Sequence, residues 1–464
     1  MRESPASWST SNSQRSVRRY KDLGTEDDES GRGRPRAISE RRFEYLFAIV
    51  MEHPVEPYGF GQHYENMMTI LVYRNHTPGN QFFECSRHIS TLFIFMRVCI
   101  VGGGGYLGHE LAARLQSNGS HTVILDITFS GHPLIKLDEN LTTRLQGSVL
   151  DETKVCEALR DCESCFHLAA SPGEQAFNRD LAYRINVDGT ALLMECCKRV
   201  GVKRFIYTSS VCVIFTNKEL INATEDYPYP LESQHTSMYG SSKAQAERLV
   251  LAANSAEFRT CALRPRGIYG PGDPRCADKA AEIIYKGLYI ATFAKKERAM
   301  TQYSGVRNLT HAMCQADKEL AKPYPRCAGK AYHVVDADPV DSFLFWKPLI
   351  TALSRSPPSI RVPFILVYFV AYVSEWFATL FGLPPGLNRL EVNLLGITNT
   401  YSIERARKDF DYNPTNNHDL TEIVEYYTKY YKDRPTTNFD SWRTLKVLFV
   451  SAIMIFVVIQ FCFS

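Results

Sequence analysis

Short apolar segments alternate with segments of helical length between residues 96 and 211. The segment 96–101 is apolar and rich in β-branched residues. A glycine cluster follows it, and then 109–119, in which apolar residues recur at helical spacing before a final glycine. Such apolar runs are typical of buried parallel strands, and helices commonly end at glycine. Further strand-like runs occupy residues 122–126, 144–149, 164–170 and 204–211. The alternation predicts an α/β fold with a Rossmann-like, doubly wound parallel sheet.

The first predicted strand leads into a glycine-rich turn with the spacing Gly-x-x-Gly-x-x-Gly. Glycine lets the backbone turn tightly and approach a pyrophosphate, which then rests on the N-terminus of the following helix. We therefore predict cofactor contacts from Gly102, Gly105, Tyr106, Leu107 and Gly108. A glycine run alone is weak evidence, because an ordinary turn has the same composition. The strand before it and the helix after it strengthen the interpretation.

An acidic residue, Asp126, ends the second strand-like run. From this position a carboxylate can bind the ribose 2′-hydroxyl of NAD, and it would repel the additional phosphate of NADP, so NAD is the predicted cofactor. The ends of neighbouring strands line the same crevice. Candidates for adenine and pyrophosphate contacts are therefore Ser148, Val149, Ala169 and Ala170. The alternative for these four residues is ordinary strand packing.

Downstream of this pattern, Tyr239 and Lys243 lie four residues apart in the segment Met-Tyr-Gly-Ser-Ser-Lys. On a helix these positions share a face, so the Lys243 ammonium would lie beside the Tyr239 phenol. A free phenol has a pKa of ~10, and a neighbouring positive charge lowers that pKa and creates a usable base. The alternative is an ordinary solvated helix pair in a chain with 25 tyrosines. The position of the pair after the glycine turn favours the catalytic interpretation.

Several motifs between residues 96 and 275 resemble the extended short-chain dehydrogenase/reductase family in composition and order. They are the Gly102 turn, His167-Leu-Ala-Ala, Asn186-Val-Asp-Gly-Thr, Tyr207-Thr-Ser-Ser, Tyr239-x-x-x-Lys243 and Leu263-Arg-Pro-Arg-Gly-Ile-Tyr-Gly-Pro. Within this family, Tyr-Thr-Ser-Ser-Val together with an apolar C-terminal segment resembles the 3β-hydroxysteroid dehydrogenase/isomerase branch. Segments that begin at Trp346, Val362 and Tyr401 resemble the family 42E relatives.

The resemblance implies roles for individual residues. Tyr239 would accept the proton of a secondary alcohol while the carbon-bound hydrogen leaves as hydride to NAD. Lys243 would activate Tyr239 and bind the nicotinamide ribose. Ser210 would hydrogen-bond the reacting oxygen, with the adjacent Ser209 as the alternative. Asn186 would hold a water that returns the proton to solvent, and a helix-start cap is the alternative role for its side chain.

Three places depart from the pattern of the family that the chain resembles. Ser148 stands where relatives usually carry an adenine-binding acid. Arg266 stands near the expected nicotinamide position, where relatives carry a small residue or proline. The segment 304–308 reads Ser-Gly-Val-Arg-Asn instead of Val-His-Val-Asp-Asn. These departures leave an impaired enzyme, or a non-catalytic NAD-binding scaffold or sensor, as an alternative.

The chain has 464 residues, 45% of them hydrophobic, with 53 basic and 50 acidic side chains. This composition can bury a large core, and no clustered basic and aromatic pattern indicates a nucleic-acid partner. Thirteen scattered cysteines indicate a reducing compartment, without a disulfide framework or a zinc site. The predicted regions are a disordered or irregular extension (1–95), a nucleotide-binding domain with the catalytic residues (96–270) and a substrate lobe (271–440).

The segment 447–463 is an uncharged apolar run that can cross a thin membrane, and it predicts a C-terminal transmembrane anchor at 445–463. Basic residues precede it, so the positive-inside rule leaves the catalytic domain in the cytosol, on a membrane such as the endoplasmic reticulum. A second apolar stretch, 362–383, is interrupted by Ser374 and Glu375. It is predicted to lie on the membrane or line the substrate lobe rather than to span.

Together these features predict a membrane-anchored, NAD-dependent oxidoreductase that acts on the CH–OH group of a lipid-soluble steroid or sterol-like alcohol. A nucleotide-sugar epimerase or dehydratase is the alternative enzyme, because the extended family shares the core motifs. The membrane tail argues against such a polar substrate. The sequence leaves open whether the protein forms a homodimer and whether a double-bond isomerisation follows the oxidation.

Overall fold

The computed structural model describes residues 96–171, 179–235, 237–381 and 385–434. The predicted N-terminal extension (1–95) and the predicted C-terminal anchor (445–463) lie outside the described residues. Among the described residues the first regular element begins at Arg97, and strands and helices alternate from there through the nucleotide-binding region.

The strands of the described part of the chain form one large sheet and several small ones. They are β1 (Arg97–Val101), β2 (His121–Asp126), β3 (Thr142–Gln146), β4 (Ser164–His167), β5 (Arg204–Thr208), β6 (Leu220–Ala223), β7 (Arg259–Pro265), β8 (Ile268–Tyr269), β9 (Ala291–Thr292), β10 (Met300–Thr301), β11 (Ser304–Gly305), β12 (Lys330–Val334), β13 (Val340–Asp341), β14 (Ile360–Arg361) and β15 (Asn399–Tyr401). The large sheet has the order β12-β7-β5-β4-β1-β2-β3, and all its neighbours pair in parallel. The predicted Rossmann-like sheet is confirmed.

The helices of the described ranges follow the strands along the chain. They are α1 (Tyr106–Ser117), α2 (Glu152–Leu159), α3 (Arg179–Tyr183), α4 (Gly189–Val200), α5 (Met238–Ala252), α6 (Ala277–Tyr285), α7 (Val306–Leu320), α8 (Lys347–Ala352), α9 (Phe364–Phe381), α10 (Arg389–Gly396), α11 (Glu404–Phe410) and α12 (Thr421–Tyr431). A π-helical turn, Arg184–Asp188, joins α3 to α4. The helix that carries Tyr239 and Lys243 is α5, as the four-residue spacing predicts.

The inner strands of the large sheet are buried on both faces, so their side chains alternate between two hydrophobic cores. Val98 and Ile100 of β1 belong to the core that α1 and α7 cover. Cys99 and Val101 belong to the core that α2, α4 and α5 cover. Burial on both faces explains why these strands appear in the sequence as continuous apolar runs.

A smaller region is built around a four-stranded sheet with the order β13-β10-β15-β6, and α6, α8 and α12 enclose a third core. The predicted boundary at residue 270 does not separate the two sheets, because one strand on each side of it belongs to the sheet of the other region. β6 precedes the boundary but pairs with β15, whereas β12 follows it but completes the large sheet beside β7. Parallel strands pair across long crossovers, so a division along the chain does not match a division in space.

Helix α9 is long and apolar enough to cross a membrane, the one such helix among the described residues. The helix runs unbroken through Ser374 and Glu375, where the apolar pattern is interrupted. Glu375 is accommodated because Arg389 of α10 neutralises it, with 2.6 Å between Arg389 Nε and Glu375 Oε2. Large apolar side chains such as Ile365 and Trp376 are exposed on α9.

Candidate active site

The glycine turn after β1 requires glycine at two positions because the backbone packs closely there. Gly102 has a φ of +81°, and a Cβ atom on it would lie 2.3 Å from the Ala169 nitrogen. A Cβ on Gly108 would lie 2.3 Å from the Gly103 Cα. These contacts hold β1, the start of α1 and the loop after β4 together at the carboxyl edge of the sheet.

Gly105 differs from the other two motif glycines, because space is open beside it. The nearest atom to a Cβ on Gly105 would be the Ser130 Oγ, at 3.8 Å. Gly105 caps α1 without a side-chain hydrogen bond, so the first amides of this helix have no intrahelical acceptor. An open helix N-terminus of this kind suits a pyrophosphate group. The residues present therefore fit the predicted dinucleotide.

The side chains of Tyr106 and Leu107 pack into the protein. The Tyr106 ring stacks on His132, with 4.4 Å between the ring centroids, and Leu107 packs against the core beneath α1. Their backbone amides at the start of α1 are therefore the groups that remain for the predicted cofactor contacts. Sequence reasoning assigned the positions without separating backbone from side chain.

Asp126 ends β2 beside the glycine turn. Its Oδ2 accepts a 2.8 Å hydrogen bond from the Gly104 amide, and its Oδ1 accepts from the Thr128 amide at 3.3 Å. The carboxylate is only partly buried, and these two amides fix its orientation at the crevice. The structure thus brings the predicted ribose-binding acid to the same edge as the predicted pyrophosphate site.

The four predicted strand-end residues all lie just beyond their strands, and they differ in exposure. Ser148 is partly exposed, and its Oγ accepts from the Leu150 amide at 3.1 Å. Val149 is buried and packs on Gly189, where a Cβ would approach its Cγ1 to 2.8 Å. Ala169 packs on the glycine turn and Ala170 follows it, partly exposed. Val149 thus matches the packing alternative, and the other three line the edge of the sheet.

Tyr239 lies in the first turn of α5, where Ser237 caps the helix by accepting from the Gly240 amide at 3.1 Å. The Ser210 hydroxyl lies beside the Tyr239 phenol and, as a hydrogen-bond partner of the phenolate, acts to lower the pKa of Tyr239. Ser210 Oγ also accepts from the Cys212 amide at 3.2 Å. The adjacent Ser209 is buried, and its Oγ has no partner among the described residues. The structure therefore brings Ser210, rather than Ser209, to Tyr239.

Lys243 is buried, with 2% of its surface exposed. Its Nζ donates to the Thr208 carbonyl at 2.7 Å and lies 4.6 Å from the centre of the Tyr207 ring. Burial lowers the pKa of Lys243 to about 7. Burial also raises the pKa of Tyr239, which differs from the predicted lowering. The reason is that desolvation of the phenolate outweighs the hydrogen bond from Ser210 and the positive charge of Arg275, both of which lower the pKa.

Asn186 lies in the π-helical turn between α3 and α4, and only 1% of its surface is exposed. Its Oδ1 accepts from the Ser171 amide at 2.7 Å, and its Nδ2 donates to the Ser242 Oγ at 2.9 Å. The side chain therefore connects the loop after β4 to α5, the helix that carries Tyr239 and Lys243. The helix-start cap considered for it does not occur, because Asp188 precedes α4.

A model of the 3-beta hydroxysteroid dehydrogenase/isomerase family matches residues 99–363. The chain belongs to this family. It is similar to the short-chain dehydrogenase/reductase family 42E member 1 of Danio rerio, with 33% identity across 71% of this chain and 87% of the relative. It is similar to the 3beta-hydroxysteroid dehydrogenase/Delta(5)-Delta(4) isomerase 1 of Caenorhabditis elegans, with 33% identity across 78% of this chain and 86% of the relative. The solved UDP-glucose 4-epimerase of Thermus thermophilus in complex with NAD shares the fold, with a TM-score of 0.54 at 19% identity over 73% of this chain and all of that chain.

Membership of the 3-beta hydroxysteroid dehydrogenase/isomerase family confirms the predicted resemblance. It also confirms the predicted enzyme class and cofactor, an NAD-dependent dehydrogenase. The roles of individual side chains stay predictions, and the geometry above states which of those side chains meet.

Arg266, one of the positions at which this chain departs from the family pattern, has a side chain that is held by hydrogen bonds within the protein. Its Nε donates to the Asn399 Oδ1 and its Nη2 to the Leu394 carbonyl, both at 2.7 Å. The guanidinium also lies over the Tyr303 ring, 4.9 Å from its centre. Arg266 therefore fastens the end of β7 to the smaller sheet. The neighbouring departure, Ser304, accepts from the Arg266 amide at 3.0 Å and supports the same junction.

The structure also contains a buried ion pair, Glu247 with Arg264, that the sequence did not predict. Glu247, one turn beyond Lys243 on α5, pairs with Arg264 of β7 at 2.6 Å, and both side chains are fully buried. Tyr229 adds a hydroxyl hydrogen bond to the Glu247 Oε1. The charge of Glu247 also acts on Lys243, where it opposes the lowering of the pKa by burial. The four-residue spacing from Lys243 to Glu247 was the signal available in the sequence.

Proposed function

We propose that this protein oxidises the secondary hydroxyl of a steroid or sterol-like alcohol with NAD, in the manner of a 3β-hydroxysteroid dehydrogenase. The observation that carries the proposal is the position of the Ser210 hydroxyl beside the Tyr239 phenol at the carboxyl edge of the sheet, with Lys243 on the same helix as Tyr239. The family description and the name of the C. elegans relative support a steroid as the substrate class.

Each of the three side chains has a task in this proposal. Tyr239, as the phenolate, takes the proton of the substrate hydroxyl, and the Ser210 hydroxyl holds the reacting oxygen by a hydrogen bond. NAD, when bound, supplies the hydride acceptor. The protonated Lys243 stabilises the negative charge on Tyr239. Because the pKa of Lys243 is about 7, its amine is protonated chiefly below neutral pH. A further anionic group beside Lys243 would extend the protonated range to higher pH.

Asn186 acts in this proposal as a positioning residue. Its amide links the Ser171 backbone to Ser242, which lies between Tyr239 and Lys243 on α5. The link fixes the first turns of α5 against the loop that follows β4, so the phenol and the ammonium keep their places at the sheet edge. A π-helical turn is a frequent device at functional sites, and here it directs the Asn186 side chain inward.

We also propose that helix α9 binds to a membrane surface. Exposed apolar side chains on α9 include Ile365 at 71%, Trp376 at 56% and Phe381 at 65% of their surface. The Glu375–Arg389 ion pair near the middle of the helix favours an interfacial position over a spanning one. We further propose the predicted C-terminal anchor, an endoplasmic-reticulum location and a cytosolic catalytic domain. Alkaline extraction and protease protection of microsomes test these three points.

The catalytic proposal is tested by NADH formation from a panel of 3β-hydroxysteroids, with the full-length protein in membrane fractions. We expect turnover that Tyr239→Phe abolishes and that Tyr227→Phe, at an exposed tyrosine, leaves unchanged. Binding of NAD without turnover of any steroid contradicts the proposal. UDP-sugars in the same panel identify the epimerase alternative, because they would be converted without net NADH formation.

A further inference from the structure

Two cysteines and an arginine meet where α2 packs against α4, away from the residues proposed for catalysis. Arg199 Nη2 lies 3.0 Å from the Cys156 Sγ and 3.4 Å from the Cys196 Sγ. Both sulfurs therefore lie beside the same guanidinium nitrogen. Glu152, at the start of α2, holds the same guanidinium nitrogen at 2.7 Å. One cationic group thus bridges two free thiols on neighbouring helices.

The two thiols differ in exposure, which separates their chemical roles. Cys156 is half-buried, whereas Cys196 is fully buried. A reagent from solvent therefore reaches Cys156 first. An adjacent guanidinium stabilises a thiolate, and the thiolate is the reactive form of cysteine. Burial, together with the contact from Cys156, raises the pKa of Cys196 to about 12, so Cys196 stays a thiol until a neighbouring electrophilic sulfur accepts its electrons.

We propose that Cys156 and Cys196 form a peroxide-reactive dithiol, with Cys156 as the nucleophile, Cys196 as the resolving thiol and Arg199 as the group that stabilises the thiolate. This site is independent of the dehydrogenase reaction. The reagent class is a hydroperoxide, and the product is a disulfide that joins α2 to α4.

The chemistry balances in two steps. The Cys156 thiolate attacks one peroxide oxygen, the S–O bond forms as the O–O bond breaks, and hydroxide leaves, so sulfur is oxidised by two electrons and peroxide is reduced. Cys196 then loses its proton and attacks the Cys156 sulfur. The S–S bond forms as the S–O bond breaks, and the oxygen leaves as water. Because both sulfurs lie beside one guanidinium nitrogen, the second step joins two atoms that are already close to each other.

The other described cysteines provide internal comparisons. Cys99, Cys165 and Cys197 are fully buried in the core beneath α2 and α4, so solvent peroxide does not reach them. Cys276 is half-buried like Cys156, but burial raises the pKa of its thiol to about 12. We therefore expect Cys276 to react much more slowly than Cys156.

The test treats the full-length protein with dilute hydrogen peroxide and maps its cysteines by mass spectrometry over time. We expect a Cys156–Cys196 disulfide before any change at Cys276, and an upward shift of the melting temperature of a few °C, on the order expected for a native-like cross-link. In Cys196→Ser, dimedone should trap a sulfenic acid at Cys156. Formation of sulfinic acid at Cys156 in the unsubstituted protein, without the disulfide, overturns the proposal.

The role of Arg199 has its own test, the rate of Cys156 alkylation by iodoacetamide at pH 7. Arg199→Gln should slow the alkylation roughly threefold to tenfold, because this variant lacks the positive charge beside the Cys156 sulfur that stabilises the thiolate. Arg160→Gln, at the C-terminal end of α2, is the matched control and should leave the rate unchanged. Equal rates in Arg199→Gln and the unsubstituted protein overturn the assignment of Arg199.

Discussion

The buried pair of Glu247 and Arg264 gives a sharp expectation for the substitution Glu247→Gln. Glutamine keeps the shape of the side chain but removes its charge, which leaves the Arg264 guanidinium buried without a counter-ion. Arg264 Nε and Nη2 donate to the Glu247 carboxylate at 3.1 and 2.6 Å, and neither side chain reaches solvent. Breaking such a pair on one side costs about 3–5 kcal/mol of the free energy of unfolding.

For a folded unit of this size, that loss corresponds to a fall of roughly 4–7 °C in the melting temperature. The assay is thermal unfolding of the full-length protein in detergent, with and without NAD. Glu157→Gln is the matched control, because Glu157 pairs with Lys154 at 2.8 Å on the surface. An exposed pair contributes at most about 1 kcal/mol, so this variant should melt within about 1 °C of the unsubstituted protein.

A double substitution separates the buried charge from the loss of packing. Glu247→Leu with Arg264→Met replaces both charges by apolar side chains and should recover most of the stability that Glu247→Gln loses, because no unpaired charge is left. If Glu247→Gln melts like Glu157→Gln, the buried pair does not stabilise α5 against β7, and the reasoning is refuted. If the double variant melts as low as Glu247→Gln, packing rather than charge explains the loss.

Three further expectations follow from the site. Ser210→Ala should lower kcat at least tenfold, whereas Ser209→Ala should lower it less than threefold, because only Ser210 contacts Tyr239; equal losses in steady-state assays would contradict this. Asp126→Ala should lose the preference for NAD over NADP in cofactor titrations, and an unsubstituted protein that binds both equally would show that Asp126 is misassigned. The pKa of Lys243 is lowered to about 7, below the ordinary value of ~10.4 in the unfolded chain. Between pH 7 and 10, Lys243 is therefore protonated in the unfolded chain but mostly neutral in the folded protein. Because the unfolded state binds more protons, the contribution of Lys243 to the free energy of unfolding rises with pH over this range. Melting curves across that range should lose this rise in Lys243→Met.

Local patterns in the sequence determined the nucleotide-binding unit. The run before Gly102 is apolar because β1 is buried on both faces, and the glycines are needed where the backbone packs within a few ångströms of itself. Asp126 follows from the same repeat of strand and turn. The spacing of Tyr239 and Lys243 depends only on the pitch of a helix. These features are set by neighbours along the chain, so the sequence is sufficient to predict them.

Only the tertiary structure decided how distant segments meet. The choice of Ser210 over Ser209 depends on which hydroxyl the end of β5 turns toward α5, and the pairing of Glu247 with Arg264 depends on the packing of α5 on β7. The raised pKa of Tyr239 is likewise a consequence of desolvation. Burial and through-space contact are properties of the folded chain, because residues far apart in sequence create them. The sequence therefore predicted candidate groups for the chemistry, and the fold decided which side chains surround those groups and how burial shifts their pKa values.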